Sequence, residues 1–154
     1  SACVARSWSP RRNQVGPLVV GVVLDASGGV NQSATHALRD RMRQDRLADA
    51  QPPRTPAIHR AEHAGALLGG RLQLASVAGK TWFACTCGQS LAPRNGNWRE
   101  GAARRVLSTN EAGRYLLLHA ELELRQFLCP ACGGSLAVDV AEKPASDIRD
   151  IELF

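Results

Sequence analysis

The chain has 154 residues, 44% of them hydrophobic and 21% charged, a composition that fits a globular protein and excludes a disordered one. No apolar run approaches the roughly 20 residues of a membrane-spanning helix, so we expect no membrane partner. The formal net charge is +5, and the whole excess lies in residues 1–79, since residues 80–154 are neutral.

The first apolar run covers residues 17–24 and follows Arg11 and Arg12. It has the form of a weak signal-peptide core, but no clear small-residue cleavage site follows it. We interpret it as a buried strand or an irregular apolar segment, and we expect a cytoplasmic protein.

A helix is predicted over residues 34–48, because this stretch is rich in helix formers and contains neither Pro nor Gly. Ser33 is the expected N-cap. The apolar side chains of the predicted helix repeat every four residues and share one face, except for Leu47, which is expected on the far side of the helix. We expect the polar face to be solvated rather than functional.

Three prolines between positions 52 and 56 end this helix and indicate a linker. Residues 61–68 are expected to form a short second helix, closed by Gly69 and Gly70. Together these features describe residues 1–70 as an irregular, partly helical N-terminal extension with little core of its own, which we expect to pack on a larger partner.

Beyond residue 70 the hydrophobic pattern alternates with the period of two that is typical of strands. Residues 102–107 fit either a strand or a short helix. The fold class is therefore mainly β (α+β), with an antiparallel β domain over residues 71–154. The other predicted strands cover residues 72–77, 81–83, 120–125 and 136–140.

Two pairs of cysteines carry the chemistry of the chain. Cys85 and Cys87 form one tight turn, and Cys129 and Cys132 form a second, each followed by a glycine. Zinc prefers four ligands in a tetrahedron, and two such turns supply them. The four cysteines are therefore predicted to bind one structural Zn²⁺, which makes the domain at residues 71–154 zinc-ribbon-like. The same thiols can also hold a single iron, form a redox dithiol or form disulfides.

No catalytic residue and no cofactor-binding residue is predicted. Four thiolates saturate a zinc ion, whereas a catalytic zinc keeps an open position. No histidine has ligand spacing to a cysteine, and Cys3 is expected to be a spectator. The C-terminal acids are expected to be solvated. The histidines are His36, His59, His63 and His119, and the C-terminal acids are Asp139, Asp147, Asp150 and Glu152.

Four segments, taken in order, resemble the small gamma subunit of the acetone carboxylases and the equivalent zinc-binding subunit of acetophenone carboxylase. The Asn97-Trp98 element, about ten residues after the first cysteine pair, makes the resemblance specific. The resemblance covers roughly residues 70–152, whereas residues 1–70 match nothing in the family. The segments are Cys85-Thr86-Cys87-Gly88, residues 96–102, residues 124–133 and residues 136–140.

The resemblance implies a hetero-oligomer that carboxylates a ketone with bicarbonate, driven by ATP and without biotin. In that family the catalytic sites belong to larger, hydantoinase-related subunits. This chain would then be a non-catalytic zinc-binding subunit of a carboxylase, a ligase complex. The C-terminus departs from the acetone enzymes, which favours an acetophenone-type or another related carboxylase.

The alternative is a free-standing zinc ribbon that binds nucleic acid or another protein. A nucleic-acid site needs arginines and aromatic side chains clustered beside the metal. Since residues 80–154 are neutral, the sequence argues against nucleic acid as a partner.

Overall fold

A computed structural model describes residues 26–29, 31–113 and 116–151 of the chain. Within these residues the fold is mainly β and antiparallel, as the sequence predicts, and the strands form two sheets. The apolar run at residues 17–24, Cys3 and Glu152 lie outside the described residues. The elements are α1 (Gln32–Ala48), β1 (His63–Gly69), β2 (Leu72–Val77), β3 (Lys80–Cys85), β4 (Ser90–Pro93), a 3₁₀ turn (Trp98–Gly101), β5 (Ala103–Leu107), α2 (Thr109–Ala112), β6 (Leu122–Leu128) and β7 (Ser135–Glu142).

None of the described helices combines the length and the apolar character needed to cross a membrane.

The first sheet is a meander of four strands in the order β1-β2-β3-β4. Its central hairpin pairs Val77 with Lys80 across the two residues Ala78 and Gly79. Both have positive φ, 49° and 71°, as a type I′ turn requires. This hairpin places Cys85, the last residue of β3, opposite Leu72 of β2, where its side chain is fully buried.

The second sheet has three strands in the order β5-β6-β7. Its central strand is buried from Leu124 to Leu128 and ends directly before Cys129. Residues 102–107, which the sequence left open between strand and helix, form β5 and pair with β6.

A single apolar core lies between the two sheets. Phe83 and Phe127 are fully buried, one from each sheet, and Trp98 joins them with 3% of its surface exposed. Trp98 packs edge-on against Phe127, with ring centroids 5.7 Å apart. The 3₁₀ turn before β5 therefore helps to join the two sheets.

The predicted second helix at residues 61–68 is wrong, because this stretch is strand β1, paired with β2. Gly65 lies so close to β2 that a Cβ there would stand 2.9 Å from the carbonyl oxygen of Leu74. Gly70, with φ of 54°, turns the chain into β2 rather than ending a helix. Pairing with a neighbouring strand outweighs the weak helical preference of so short a segment.

Helix α1 is confirmed, with its start shifted two residues. Asn31, rather than Ser33, is the N-cap, and its side chain accepts a hydrogen bond from the Ala34 N–H at 2.9 Å. Leu47 is half-buried, so the expectation that it lies on the far side of the helix is wrong. Arg46, which belongs to the face expected to be solvated, is also half-buried.

The expectation of a solvated acidic tail is wrong for Asp147, whose side chain is only 2% exposed. It forms ion pairs with Arg125 at 3.2 Å, with Arg104 at 3.4 Å and with Arg54. A buried carboxylate needs such partners, because an unpaired charge is costly to remove from water.

Arg99 anchors the neighbouring part of the tail. It is 4% exposed and pairs with Asp139 at 2.7 Å and with Asp150. Burial opposes the charge of Arg99, but the hydrogen bonds to Asp150 and Asp139 outweigh it and raise the pKa of Arg99. The hydrogen bonds from Arg99 hold the pKa of Asp150 below its ordinary value. The C-terminal segment is thus part of the folded domain.

Candidate metal centre

The four predicted cysteines converge between the two sheets. Cys85 is the last residue of β3, and Cys87 follows in the turn before β4. Cys129 directly follows β6, and Cys132 lies in the turn before β7. Each sheet therefore contributes one cysteine pair, from the turn between two adjacent antiparallel strands.

The backbone hydrogen bonds of the two cysteine turns follow the same pattern. In the first cysteine turn (residues 85–89), the Cys85 N–H donates to the Gln89 carbonyl, and the Gly88 N–H donates to the Cys85 carbonyl, both at 2.8 Å. In the second cysteine turn (residues 129–134), the Cys129 N–H donates to the Gly134 carbonyl, and the Gly133 N–H donates to the Cys129 carbonyl, both at 2.8 Å. Each first cysteine is thereby held rigidly at the base of its turn.

Glycine is required after each cysteine pair. Gly88 has φ of 90° and Gly133 has φ of 63°, a region that other residues rarely adopt. At Gly133 there is a second reason, because a Cβ would lie 2.6 Å from the carbonyl oxygen of Arg43 in α1. Helix α1 therefore packs directly on the second cysteine turn.

The four sulfur atoms lie close enough together to bind a single metal ion. The Cys85 and Cys132 sulfurs are 3.8 Å apart, and those of Cys87 and Cys129 are 3.6 Å apart. All four lie within 4.8 Å of one another. A tetrahedron with metal–sulfur bonds of about 2.3 Å has edges of about 3.8 Å. A disulfide needs about 2.05 Å, so the four thiols are free and can hold a metal ion.

Hydrogen bonds within the cluster set the protonation of the metal-free thiols. A hydrogen bond from Cys129 lowers the pKa of Cys85 to about 4, against the opposing effect of burial. The same hydrogen bond raises the pKa of Cys129, and burial adds to this rise. Burial also raises the pKa of Cys87. Metal binding therefore releases the protons that the thiols still carry.

Backbone N–H groups point at the sulfurs of three of the four cysteines. Cys85 accepts from the Cys87 N–H, and Cys87 accepts from the Gln89 N–H. Cys129 accepts from the backbone of both Ala131 and Cys132. Such bonds stabilise thiolates and orient them toward a metal.

The cluster has no histidine or carboxylate ligand among the described residues. His36, His63 and His119 are exposed. His59 packs edge-on against Trp82, with ring centroids 5.6 Å apart. With four sulfurs around one centre and no open position, the arrangement suits a structural metal ion rather than a catalytic one.

Three residues contact the first cysteine turn in ways that the spacing of the cysteines in the sequence does not predict. Arg60 donates to the Cys87 carbonyl at 3.0 Å, and Gln73 donates to the Cys85 carbonyl at 3.3 Å. The backbone carbonyl of Arg71 accepts from the Thr86 N–H at 2.8 Å. All three residues lie upstream of the first cysteine and reach it through folding of the first sheet.

A comparison with known protein families gives no match, and a search of curated proteins finds no significant relative.

Proposed function

We propose that this chain is a small zinc-binding structural subunit of a multi-subunit, biotin-independent, ATP-dependent ketone carboxylase of the acetophenone or acetone type. The observation that carries the structural role is the convergence of four buried or half-buried cysteines, whose sulfurs lie within 4.8 Å of one another and would saturate a metal ion. Zinc is the metal best suited to four thiolates that take no part in redox chemistry.

The carboxylase assignment is supported by the four resembling sequence segments. Two contain the cysteine turns, and a third, residues 136–140, lies in β7. In the remaining segment, Asn97 caps the 3₁₀ turn by accepting from the Arg99 N–H at 3.1 Å, and Trp98 fills the core. The motif residues therefore have packing roles, as a subunit without its own catalytic site requires.

Large partner subunits, related to hydantoinases, would bind ATP, bicarbonate and ketone. Isolation of the native protein from its source organism tests this proposal, with mass analysis of the eluted species and metal analysis of the same fraction. Co-elution with large subunits, one zinc per copy of this chain and ketone-stimulated ATP hydrolysis are expected. A chain that elutes alone would remove the carboxylase proposal.

A second candidate is a free-standing zinc ribbon that binds nucleic acid or another protein, and one observation favours it. Arg43 and Arg46 of α1 lie near Arg105 of β5, beside the second cysteine turn. Burial lowers the pKa of Arg46, and repulsion from Arg105 and Arg43 lowers it further. The basic part of the chain thus folds against the cysteine-rich part. Salt-dependent binding of a single-stranded oligonucleotide by the isolated chain would support this candidate.

A further inference from the structure

Two arginines, Arg60 and Arg71, contact the cysteine turns without a carboxylate partner. Elsewhere in the described residues, six arginines form ion pairs with aspartate or glutamate. Neither Arg60 nor Arg71 has a carboxylate within ion-pair distance among the described residues. The paired arginines are Arg43, Arg54, Arg99, Arg104, Arg105 and Arg125.

Arg71 links the two cysteine turns. Its backbone carbonyl accepts from Thr86, between the first two cysteines. Its side chain lies on Gly134 of the second turn, where a Cβ would stand 2.8 Å from Cδ and 2.9 Å from Nε of Arg71. Among the described residues, Nε of Arg71 is the one buried side-chain nitrogen or oxygen without a hydrogen-bond partner. A buried cationic N–H is costly unless a negative charge compensates it.

Arg60 holds the first cysteine turn from the outside. Its guanidinium donates to the Cys87 carbonyl and lies 3.8 Å from the position of a Cβ on Gly88. The side chain is exposed, so solvent screens its charge more than that of Arg71.

A divalent metal bound by four thiolates carries a net charge of −2. We infer that Arg60 and Arg71 supply the positive charge that compensates this metal tetrathiolate, and that Arg71 in particular determines how tightly the metal is held. This inference rests on the metal centre of the proposed function. Groups that support metal ligands in this way typically change metal affinity by about 10- to 100-fold when they are removed.

The test is the zinc affinity of the full chain, measured by competition with a chromophoric chelator, for the wild type and five variants. Arg71→Gln is expected to weaken zinc binding by about 10- to 100-fold. Arg60→Gln is expected to weaken it by a smaller factor because Arg60 is exposed. Arg71→Lys keeps the charge and is expected to retain most of the affinity.

Lys80→Gln is the matched control, since it removes one positive charge from an exposed position at the opposite end of β3 from Cys85. Five strand residues span roughly 16 Å, which exceeds the Debye length at physiological salt. The control should bind zinc as the wild type does. The Co²⁺-substituted proteins provide a second readout, because their visible spectra report whether all four sulfurs remain bound.

Gly134→Ala keeps every charge but moves the Arg71 side chain, so it should also weaken zinc binding. The backbone tolerates this substitution, because Gly134 is not among the glycines with positive φ. This variant covers the case in which Arg71→Gln does not fold. Unchanged affinity in Arg71→Gln, or an equal loss in Arg71→Lys, would overturn the inference and leave the metal centre intact. A wild-type chain that binds no metal would instead overturn the metal centre of the proposed function.

Discussion

The buried carboxylate of Asp147 offers a direct test of how the C-terminal segment is held. The substitution Asp147→Asn keeps the shape of the side chain and removes its charge. Arg125, 3% exposed, would then lose its ion pair at 3.2 Å, while Arg104 and Arg54 would lose the same partner. Breaking a buried ion pair by removal of one partner typically destabilises a protein by about 3–5 kcal/mol.

The lower end of this range applies, because Arg125 keeps Glu123 at 2.6 Å. We therefore expect Asp147→Asn to lower the free energy of unfolding by about 3 kcal/mol. For a domain of this size, that corresponds to a fall in Tm of about 6–12 °C. The assay is thermal and urea denaturation of the metal-saturated protein, followed by circular dichroism.

Asp40→Asn is the control, because Asp40 pairs with Arg43 at 2.9 Å but is 67% exposed. Exposed pairs of this kind contribute about 0–1 kcal/mol. If Asp147→Asn destabilised the protein no more than Asp40→Asn, the ion pairs of the C-terminal segment would make no net contribution, and the reasoning from burial would be refuted.

Three further substitutions probe the core and the metal centre. Cys129→Ser, or chelation of the wild type, is expected to unfold the cysteine-rich half in circular dichroism, because the structural zinc of the proposed function would supply on the order of 10 kcal/mol of folding free energy. A normal melting curve for Cys129→Ser would contradict this. Trp98→Ala is expected to destabilise by about 3–5 kcal/mol through loss of packing, with the metal content unchanged. Loss of metal from that variant would show that Trp98 has a role beyond packing. Gly133→Ala should destabilise more than Gly79→Ala, since both have positive φ but only Gly133 lies against Arg43. Equal melting points would show that α1 does not pack on the second cysteine turn.

The elements predicted correctly are those whose signal is local in the sequence. The predicted strands at 72–77 and 81–83 lie so close together in the sequence that they specify a hairpin without reference to the rest of the chain. The cysteine pairs are equally local, since each turn positions two sulfurs by its own backbone hydrogen bonds. The meeting of the two pairs follows because neither pair alone satisfies a tetrahedral metal ion.

The elements predicted wrongly depend on partners distant in the sequence. Residues 63–69 contain too few residues for a stable helix, and only pairing with β2 makes them a strand. Asp147 carries no local signal of burial, because its partners Arg54, Arg104 and Arg125 lie 93, 43 and 22 positions away. A charge separated in sequence from its partners is indistinguishable from a solvated one until the fold is known.

A metal ion bound by the four cysteines would join the two sheets, as the sheet topology indicates. The two sheets share no strand pairing among the described residues, so they are held together by the core, the C-terminal segment and the cysteine cluster. Cys85 and Cys87 belong to the first sheet, and Cys129 and Cys132 to the second, so a bound metal cross-links the sheets. Closing a loop of about 40 residues in this way removes about 4 kcal/mol of chain entropy from the unfolded state. A small domain with a limited core gains most from such a cross-link, and the two sheets should therefore separate first when the metal is withdrawn.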